Sequence, residues 1–375
     1  MSGNEMHIDR DVFLGAIRAV GEVVESRVTI PILSNLLIEA APGRWSVVGT
    51  DLDLQATMTF EGQGEGTFTV PADKLAAAVD SLRPGKVDLR IEAGRLTLLQ
   101  GRARRTLPTL PIEDYPKLPA DHLDVVFQID APVLRGLLEA TYITMSSEEK
   151  TRVYLCGVYL HVHEGKLCAA STDGVRMVCA EAPLPQGADQ LPGIILPKKL
   201  VLLLRRHLAK MQAGDRIDIR ASDQKVLISF GTTVILAKLI DGNYPDYRRI
   251  IPIGNDRPLR VHSGELVRAI GAASALVEAA ADGTGRSKGL AFRLTSTGCE
   301  LRSSGGDANA VEPLEGEFTG DDFEIGLNAL YAAPVAGIFG EAAELELLFA
   351  DAKAPVLFRS PTVPSVLGIV MPMRI

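Results

Sequence analysis

The chain has 375 residues, 46% of them hydrophobic, and 39 Lys and Arg stand against 47 Asp and Glu for a net charge of −8. That length suggests two to four domains at roughly 100–200 residues each; the hydrophobic share excludes a disordered chain. The acidic balance excludes a protein that coats nucleic acid with its whole surface, but not one that gathers its cations on one face.

No run approaches the roughly 18 apolar residues of a membrane span, and the N-terminal stretch has no basic-then-apolar leader. Cys156, Cys168, Cys179 and Cys299 form no CxxC pair. They read as free thiols in a reducing cytoplasm.

In chain order, Asp9 to Val20 comes first, with apolar residues every three or four positions. That spacing predicts an amphipathic helix with Asp9 as its cap. Leu36–Ala40 and Trp45–Gly49 alternate as a hairpin. Val70–Val79 predicts a second helix, with Pro71 at its first position. The series then restarts. Asp130–Ala140 is a helix again, Gly157–Val162 with Lys166–Ala170 a hairpin, and Leu196–Arg205 a second helix with Pro197 at its first position. It restarts once more with Ser263–Ala273, where Ser263 is expected as the cap, with Leu290–Leu294 and Cys299–Ser303, and with Ile325–Pro334, where Pro334 is expected to kink or end the helix. Tyr115-Pro and Tyr244-Pro close the first two copies, 129 residues apart. Self-similarity at this period predicts three copies of one α+β unit. Each has two helices and roughly eight short strands, with bounds at 1–124, 125–254 and 255–375.

Charge is uneven across the copies: −5, +3 and −6 in order. From Pro197 to Gly214 the middle copy carries Lys198, Lys199, Arg205, Arg206, His207 and Lys210 and no acid. A solvated face is the ordinary reading of one such helix; a phosphate backbone is the functional one.

Enzyme readings fare poorly. Gly283 to Gly289 is glycine-rich but lacks the phosphate-loop spacing. Asp51 and Asp53 have no third carboxylate nearby. His161 and His163 share a strand face with Tyr159, and solvated histidines are expected there rather than zinc ligands. No spacing suggests a Ser-His-Asp arrangement, and no cofactor is expected.

Several strings point one way. Thr29-Ile-Pro-Ile-Leu33 precedes the first hairpin. Thr50-Asp-Leu-Asp-Leu54 and Ser171-Thr-Asp-Gly-Val-Arg-Met177 hold equivalent places in copies one and two. Asn243-Tyr-Pro-Asp-Tyr-Arg-Arg249 closes the second copy, and the sequence ends Val370-Met-Pro-Met-Arg-Ile375. Over its whole length the chain resembles the bacterial DNA polymerase III β subunits, the sliding clamps.

That resemblance implies a DNA clamp fold. Three repeated domains, each with two helices packed on antiparallel sheets, would join head to tail as a dimeric ring. It implies a non-catalytic, cytoplasmic processivity factor that encircles double-stranded DNA without reading sequence. It would tether the polymerase III catalytic subunit, the clamp loader and other proteins carrying a short binding motif, with no membrane. The alternative is a repeat-built protein-interaction scaffold without DNA. Implied inner-face cations are Arg10, Arg18, Lys74, Arg135, Lys198, Lys199, Arg205, Arg206 and Arg268, with Arg27 and Tyr154 as loop contacts. Tyr154 follows Val153 where many clamps have a second aromatic. The implied partner-peptide cleft comprises Leu155, Thr172, Gly174, Val175, Arg176, Met177, Pro245, Arg249, Ile250, Asn328, Tyr331, Val370, Met371, Pro372, Met373 and Arg374. Val175 stands where relatives often have His, and Ser287 where an aromatic is common. The implied dimer contact sets Arg105 and Leu107 against Ala275 and Leu276, with Arg105 in place of an aromatic seen in some relatives. Ala279–Arg286 reads as an inserted loop.

Overall fold

The computed structural model describes residues 6–25, 29–276, 288–305 and 308–375. They gather into two compact units. One is Met1–Asp130 with Gly214–Leu239; the other is Ala131–Ala213 with Ile240–Ile375. Among the described residues there are six α-helices and four antiparallel sheets. None of these helices is long and apolar enough to cross a membrane.

In the first unit, α1 (Arg10–Gly21) and α2 (Ala72–Asp80) pack on each other. Asp9 caps α1 as its sequence predicts, accepting from the amides of Asp11 and Val12 at 2.9 and 3.1 Å. Pro71 lies one position earlier than expected, at the cap of α2. There its fixed φ turns the strand into the helix. An eight-stranded sheet runs Gly66–Pro71, Asn35–Ala41, Arg44–Thr50, Leu54–Phe60, Thr233–Lys238, Lys225–Phe230, Arg216–Ala221, Val125–Asp130. Its continuity depends on the ladder from Leu54 to Met58 against Thr233 to Ala237, so part of the middle copy completes the sheet of the first. A four-stranded sheet runs Met6–Asp9, Lys86–Glu92, Arg95–Gln100, Ala103–Pro108. Trp45 is fully buried with Phe13 edge-on at 6.3 Å. Gly49 has no room for a side chain, because a Cβ would stand 2.8 Å from Val20 Cγ1. Asp130, at the end of its strand, holds Arg216.

In the second unit, α3 (Ala131–Thr141) packs on α4 (Lys198–Leu208), and α5 (Ser263–Ser274) on α6 (Ala329–Gly337). Pro197, like Pro71, caps rather than starts its helix. Ser263 is the first helical residue, not the cap; its hydroxyl donates to the Ala336 carbonyl at 2.8 Å and ties α5 to α6. Pro334 does not end α6, which continues to Gly337.

The sheet of this unit has nine strands, in the order Ile194–Pro197, Gly157–His163, Lys166–Thr172, Arg176–Pro183, Val366–Val370, Val356–Arg359, Glu344–Phe349, Arg257–His262, Gly316–Phe318. The ladder from Arg176↔Val370 to Ala180↔Val366 joins the middle and last copies. A separate four-stranded sheet runs Ala308–Leu314, Gly298–Gly305, Gly289–Thr295, Phe323–Asn328.

One face of the nine-stranded sheet carries Ala170, Met177, Leu348, Leu357 and Ile369, and Tyr247 is buried upon them. Tyr159 stacks on Tyr244 at 4.7 Å and on His161 at 4.5 Å. His161 Nε2 bonds the Tyr247 hydroxyl at 3.0 Å. His161 is therefore not the solvated residue its strand position suggested; it is 9% exposed. Burial lowers its pKa below the ordinary 6.5, and the nearby Arg248 charge adds to this. The same packing pushes the Cys168 thiol up to about 11 and the Cys179 thiol up to about 12, chiefly by desolvation, so both behave as buried apolar groups.

A histidine whose folded pKa is depressed binds fewer protons folded than unfolded below pH 6.5. Its contribution to stability is fully present above that value and is lost as pH falls below it. Denaturant midpoints at pH 7.5 and 5.5 test this. The native chain loses more stability between the two than His161→Gln does; equal losses would remove His161 from the account.

Candidate functional site

The second unit builds a cavity from a turn, a tail and a short helical segment. The turn is Thr172-Asp-Gly-Val-Arg176. Asp173 Oδ1 accepts from the amides of Val175 and Arg176, both at 3.1 Å, and Thr172 Oγ1 accepts from Gly174 N at 3.0 Å. Short polar side chains closing on their own backbone make such turns tight. Gly174 supplies the left-handed φ of 93° that the turn requires.

Arg176 is held on three sides. Its Nε donates to Asp173 Oδ2 at 2.9 Å, its guanidinium lies 4.8 Å from the centre of the Tyr331 ring, and Nη1 donates to the Leu330 carbonyl at 3.4 Å. That carbonyl is available for a sequence reason. In a regular helix it would accept from the amide four residues on, which is Pro334, and proline has none.

The tail is the chain's last segment. Met371 N donates to the Val175 carbonyl at 2.8 Å and Met373 N to the Gly326 carbonyl at 2.9 Å. A Cβ at Gly326 would collide with the Met373 carbonyl. The third wall is Arg249 to Ile253, fixed from behind by buried Tyr247.

These elements enclose about 490 Å3, within the range of small-ligand and peptide pockets. Of the cleft candidates, Thr172, Gly174, Val175, Arg176, Met177, Arg249, Ile250 and Met371 line it. A second cavity of about 990 Å3 shares Gly174, Val175 and Arg176 with the first and adds Tyr331, Arg152, Lys198 and Tyr142 among its walls. Leu155, Asn328 and Val370 are buried behind the walls. Asn328 caps α6 and also accepts from Lys288 N. Pro245, Pro372, Met373 and Arg374 line neither cavity.

Ile251, Pro252, Ile253, Pro355 and Ile369 line the first cavity and escaped the sequence reading. The apolar run directly after Tyr247-Arg-Arg249 is a usable signal for three of them. Pro355 offers none.

The cations expected to meet phosphate divide into two groups. Arg10 is tied to Asp11, to Asp80 and to the Val79 carbonyl, and Arg18 to Asp80 at 3.1 Å. Arg135 reaches the Leu208 and Met211 carbonyls at 3.4 Å, where the C-terminal end of α4 favours a cation. Arg205 bonds Glu139 at 2.7 Å and lies 3.2 Å from the centre of the Tyr142 ring. Arg268 bonds both Glu265 and Glu312, and its hydrogen bond holds the Glu265 carboxyl below the usual carboxylate range.

Lys74 is exposed on α2 and Lys198 half-buried at the start of α4, and neither ammonium has an ion-pair partner among the described residues. Lys199 and Arg206 also stand on α4, Arg206 exposed. Tyr154 is half-buried, its Cβ close over Gly242. Arg27, Ser287 and the loop Ala279–Arg286 lie outside the described residues.

Arg105 and Leu107 sit on Ala103–Pro108, the last strand of its sheet, where Arg105 donates to Ser81 Oγ at 3.2 Å. Ala275 and Leu276 follow α5, and Leu276 is 55% exposed. Among the described residues no group of three or more His, Cys, Asp or Glu is placed to hold a metal ion.

Comparison with known proteins closes the question of kinship. Residues 4–119 match the family model of the DNA polymerase III beta subunit N-terminal domain, and residues 128–246 that of its central domain. The beta sliding clamp of Caulobacter vibrioides is 37% identical, with 99% of this chain and all of that protein aligned. That of Pseudomonas aeruginosa is 30% identical over 98% of this chain and 99% of its own length. Among solved structures, a Caulobacter crescentus beta sliding clamp with bound PEG is similar at a TM-score of 0.92 and 35% identity, over the full length of both chains. A Bartonella birtlesii sliding clamp bound to griselimycin gives 0.93 and 33%, over 99% of this chain and all of that one. The chain belongs to the family of the DNA polymerase III beta subunits, the bacterial sliding clamps.

Proposed function

We propose that this chain is a sliding clamp that encircles duplex DNA and tethers the replicative polymerase and other partners for processive synthesis. The observation that carries the reading is the apolar cavity closed by the chain's own tail, in a chain aligned end to end with beta sliding clamps. The family is non-catalytic. The work is mechanical: a closed ring holds DNA by topology, so tight contacts are unnecessary and would impede sliding.

Three domains, 1–124, 125–254 and 255–375, fit this role, supported by the family-model matches at 4–119 and 128–246. A head-to-tail homodimer is supported by two strand edges, Ala103–Pro108 and Ala308–Leu314, each the last in its four-stranded sheet. Such edges carry unused backbone donors and acceptors, and two unlike edges close a ring when the rotation closes. Arg105 and Leu107 stand on the first edge; Ala275 and Leu276 are assigned near the second. The cytoplasm is the compartment such a factor works in.

DNA attraction falls to the cations on α4 and α2. A guanidinium paired with two carboxylates, as in Arg268, belongs to a cluster of net negative charge that offers a phosphate no net attraction. Lys74 and Lys198 carry the contact, with Lys199, Arg206, Arg18, Arg27 and Tyr154 in support. Arg10, Arg135, Arg205 and Arg268 act on their own helices first. Contacts of this kind position without reading bases.

The peptide cleft is the cavity of the second unit. Its apolar wall supplies affinity, while Arg176 and Arg249 supply donors for peptide carbonyls or a carboxylate. Met371 adapts its shape to varied partners. Leu155, Asn328 and Val370 set the walls from behind, and Pro245, Tyr331, Pro372, Met373 and Arg374 border them.

Three results are expected. The loaded protein stays on circular DNA and leaves when the circle is cut; equal retention on circular and linear DNA would sink the topological reading. Charge reversal at Lys198, Lys199 and Arg206 lowers DNA affinity and flattens its salt dependence by roughly 0.9 log unit for each phosphate left unneutralised, whereas removing one ion pair as a unit, Arg268→Ala with Glu312→Ala, leaves the local net charge unchanged and changes affinity by less than about twofold. Deleting Met371–Ile375 weakens partner-peptide binding by roughly a hundredfold while the dimer persists, and Gly326→Ala, which displaces Met373, acts in the same direction. Dimer loss on deletion would show the tail to be structural instead.

A further inference from the structure

Beyond Arg249 the cavity wall does not end. It continues as Ile250, Ile251, Pro252 and Ile253 and faces Pro355 and Met371. Ile253 is fully exposed, at 103%, and Ile250 and Met371 are 49% and 43% exposed. Between Ile250 and Gly254 there is no charged residue.

The strip is nevertheless pinned at both ends. Tyr247 is buried in the sheet face, and Ile251 N donates to the Arg248 carbonyl at 3.2 Å. On the far side the Asn255 amide donates to the carbonyls of Leu348 and Pro355, both at 2.8 Å. Two prolines stiffen the facing segments further. A ligand therefore meets a surface that is already ordered, and little conformational entropy is lost on binding.

We propose that Ile253 is a specificity-determining residue of the partner cleft. With Pro252 and Pro355 it forms an apolar shelf that takes one side chain of the partner peptide lying just beyond its main apolar anchors. An apolar residue there removes Ile253 from water; a charged one is stripped of hydration against carbon. The occupant is a flanking residue of the same peptide, because the shelf is continuous with the cavity wall and has no separate floor. This inference rests on the assignment of the cavity as the peptide cleft.

The test uses a fluorescein-labelled peptide, Ala-Leu-Ala-Leu-Phe, and versions extended by Leu or by Asp at either end. Each is titrated with the full chain and with Ile253→Ala and Ile253→Lys. At one end, the native chain binds the Leu-extended peptide about tenfold more tightly than the Asp-extended one, as burial of roughly half an aliphatic side chain on each partner implies. In Ile253→Ala the ratio falls to about threefold or less, and in Ile253→Lys it is abolished or inverted, while the unextended peptide, which meets the cavity wall but not the shelf, loses less affinity in both variants than the Leu-extended one does. A flank preference that survives Ile253→Lys overturns the proposal, and so does an equal loss for extended and unextended peptides. If the unextended peptide binds the native chain no better than the chain lacking Met371–Ile375, the cleft assignment itself fails, which is a different result from losing the flank preference alone.

Discussion

The second unit depends on one antiparallel ladder, Arg176–Ala180 against Val366–Val370. Without it the strands of the middle copy and those of the last would be two separate edges, each open to wrong partners. With it they become one nine-stranded sheet, and the register decides where functional residues fall. Arg176 opposes Val370, so the sheet ends where the Thr172–Arg176 turn begins and where Met371 departs. A shift of one residue would place every side chain of the strand on the opposite face. It would bury Arg176 and expose Met177. The cavity is thus a product of sheet register before it is a product of any particular lining residue.

The same economy governs the charges. Several arginines that a linear reading counts as DNA contacts serve first to join one helix to its neighbour: Arg135 at the end of α4, Arg205 across to α3, Arg10 across to α2. Each uses a planar, multi-donor head to bind a carboxylate, a carbonyl or a ring, a task for which lysine is poorly suited. Lys74 and Lys198, whose ammonium groups have no ion-pair partner among the described residues, are left to act at a distance. A surface that must attract phosphate without gripping it is well served by this division, since hydrated ammonium groups give field without fixed geometry.

Much of this is legible in the sequence, and the reasons for success and failure are physical. Hairpins are the clearest, because alternation has a short period and turn residues mark both ends; Asn35–Ala41 with Arg44–Thr50 differs from its expected bounds by one residue at either end. Helix starts fall within one position of expectation except in the last copy, where the stretch expected to be helical from Ile325 begins as the strand Phe323–Asn328 and α6 starts only at Ala329; and not every cap role follows. Ser263 has the right chemistry for a cap, yet it is the first helical residue and a tertiary partner, the Ala336 carbonyl, claims its hydroxyl. His161 looks solvated in the sequence because strand alternation cannot show what covers a sheet face, and here Tyr247 does. The cavity's motif residues can be named from sequence, but Ile253 and Pro355 cannot be joined, because nothing in a linear chain shows that Asn255 brings their segments together.

Pro334 shows how a local defect becomes part of a site. As a helix residue it costs about 3 kcal/mol in isolation, and on propensity alone it should have ended α6. The helix persists because Ala332, Val335 and Ala336 are fully buried in the unit's core, and burial of that face outweighs one missing bond. The carbonyl freed on Leu330 is then not an orphan, since Arg176 donates to it from the turn on the middle copy's sheet. The same guanidinium faces Tyr331 and Asp173. One proline thus links a helix of the last copy to a turn of the middle one, and does so at Arg176, one of the residues shared by both cavities. Position within the helix matters as much as residue type here: moved one place either way, the proline would free a different carbonyl, pointing about 100° around the helix axis, and Arg176 would lose its third support.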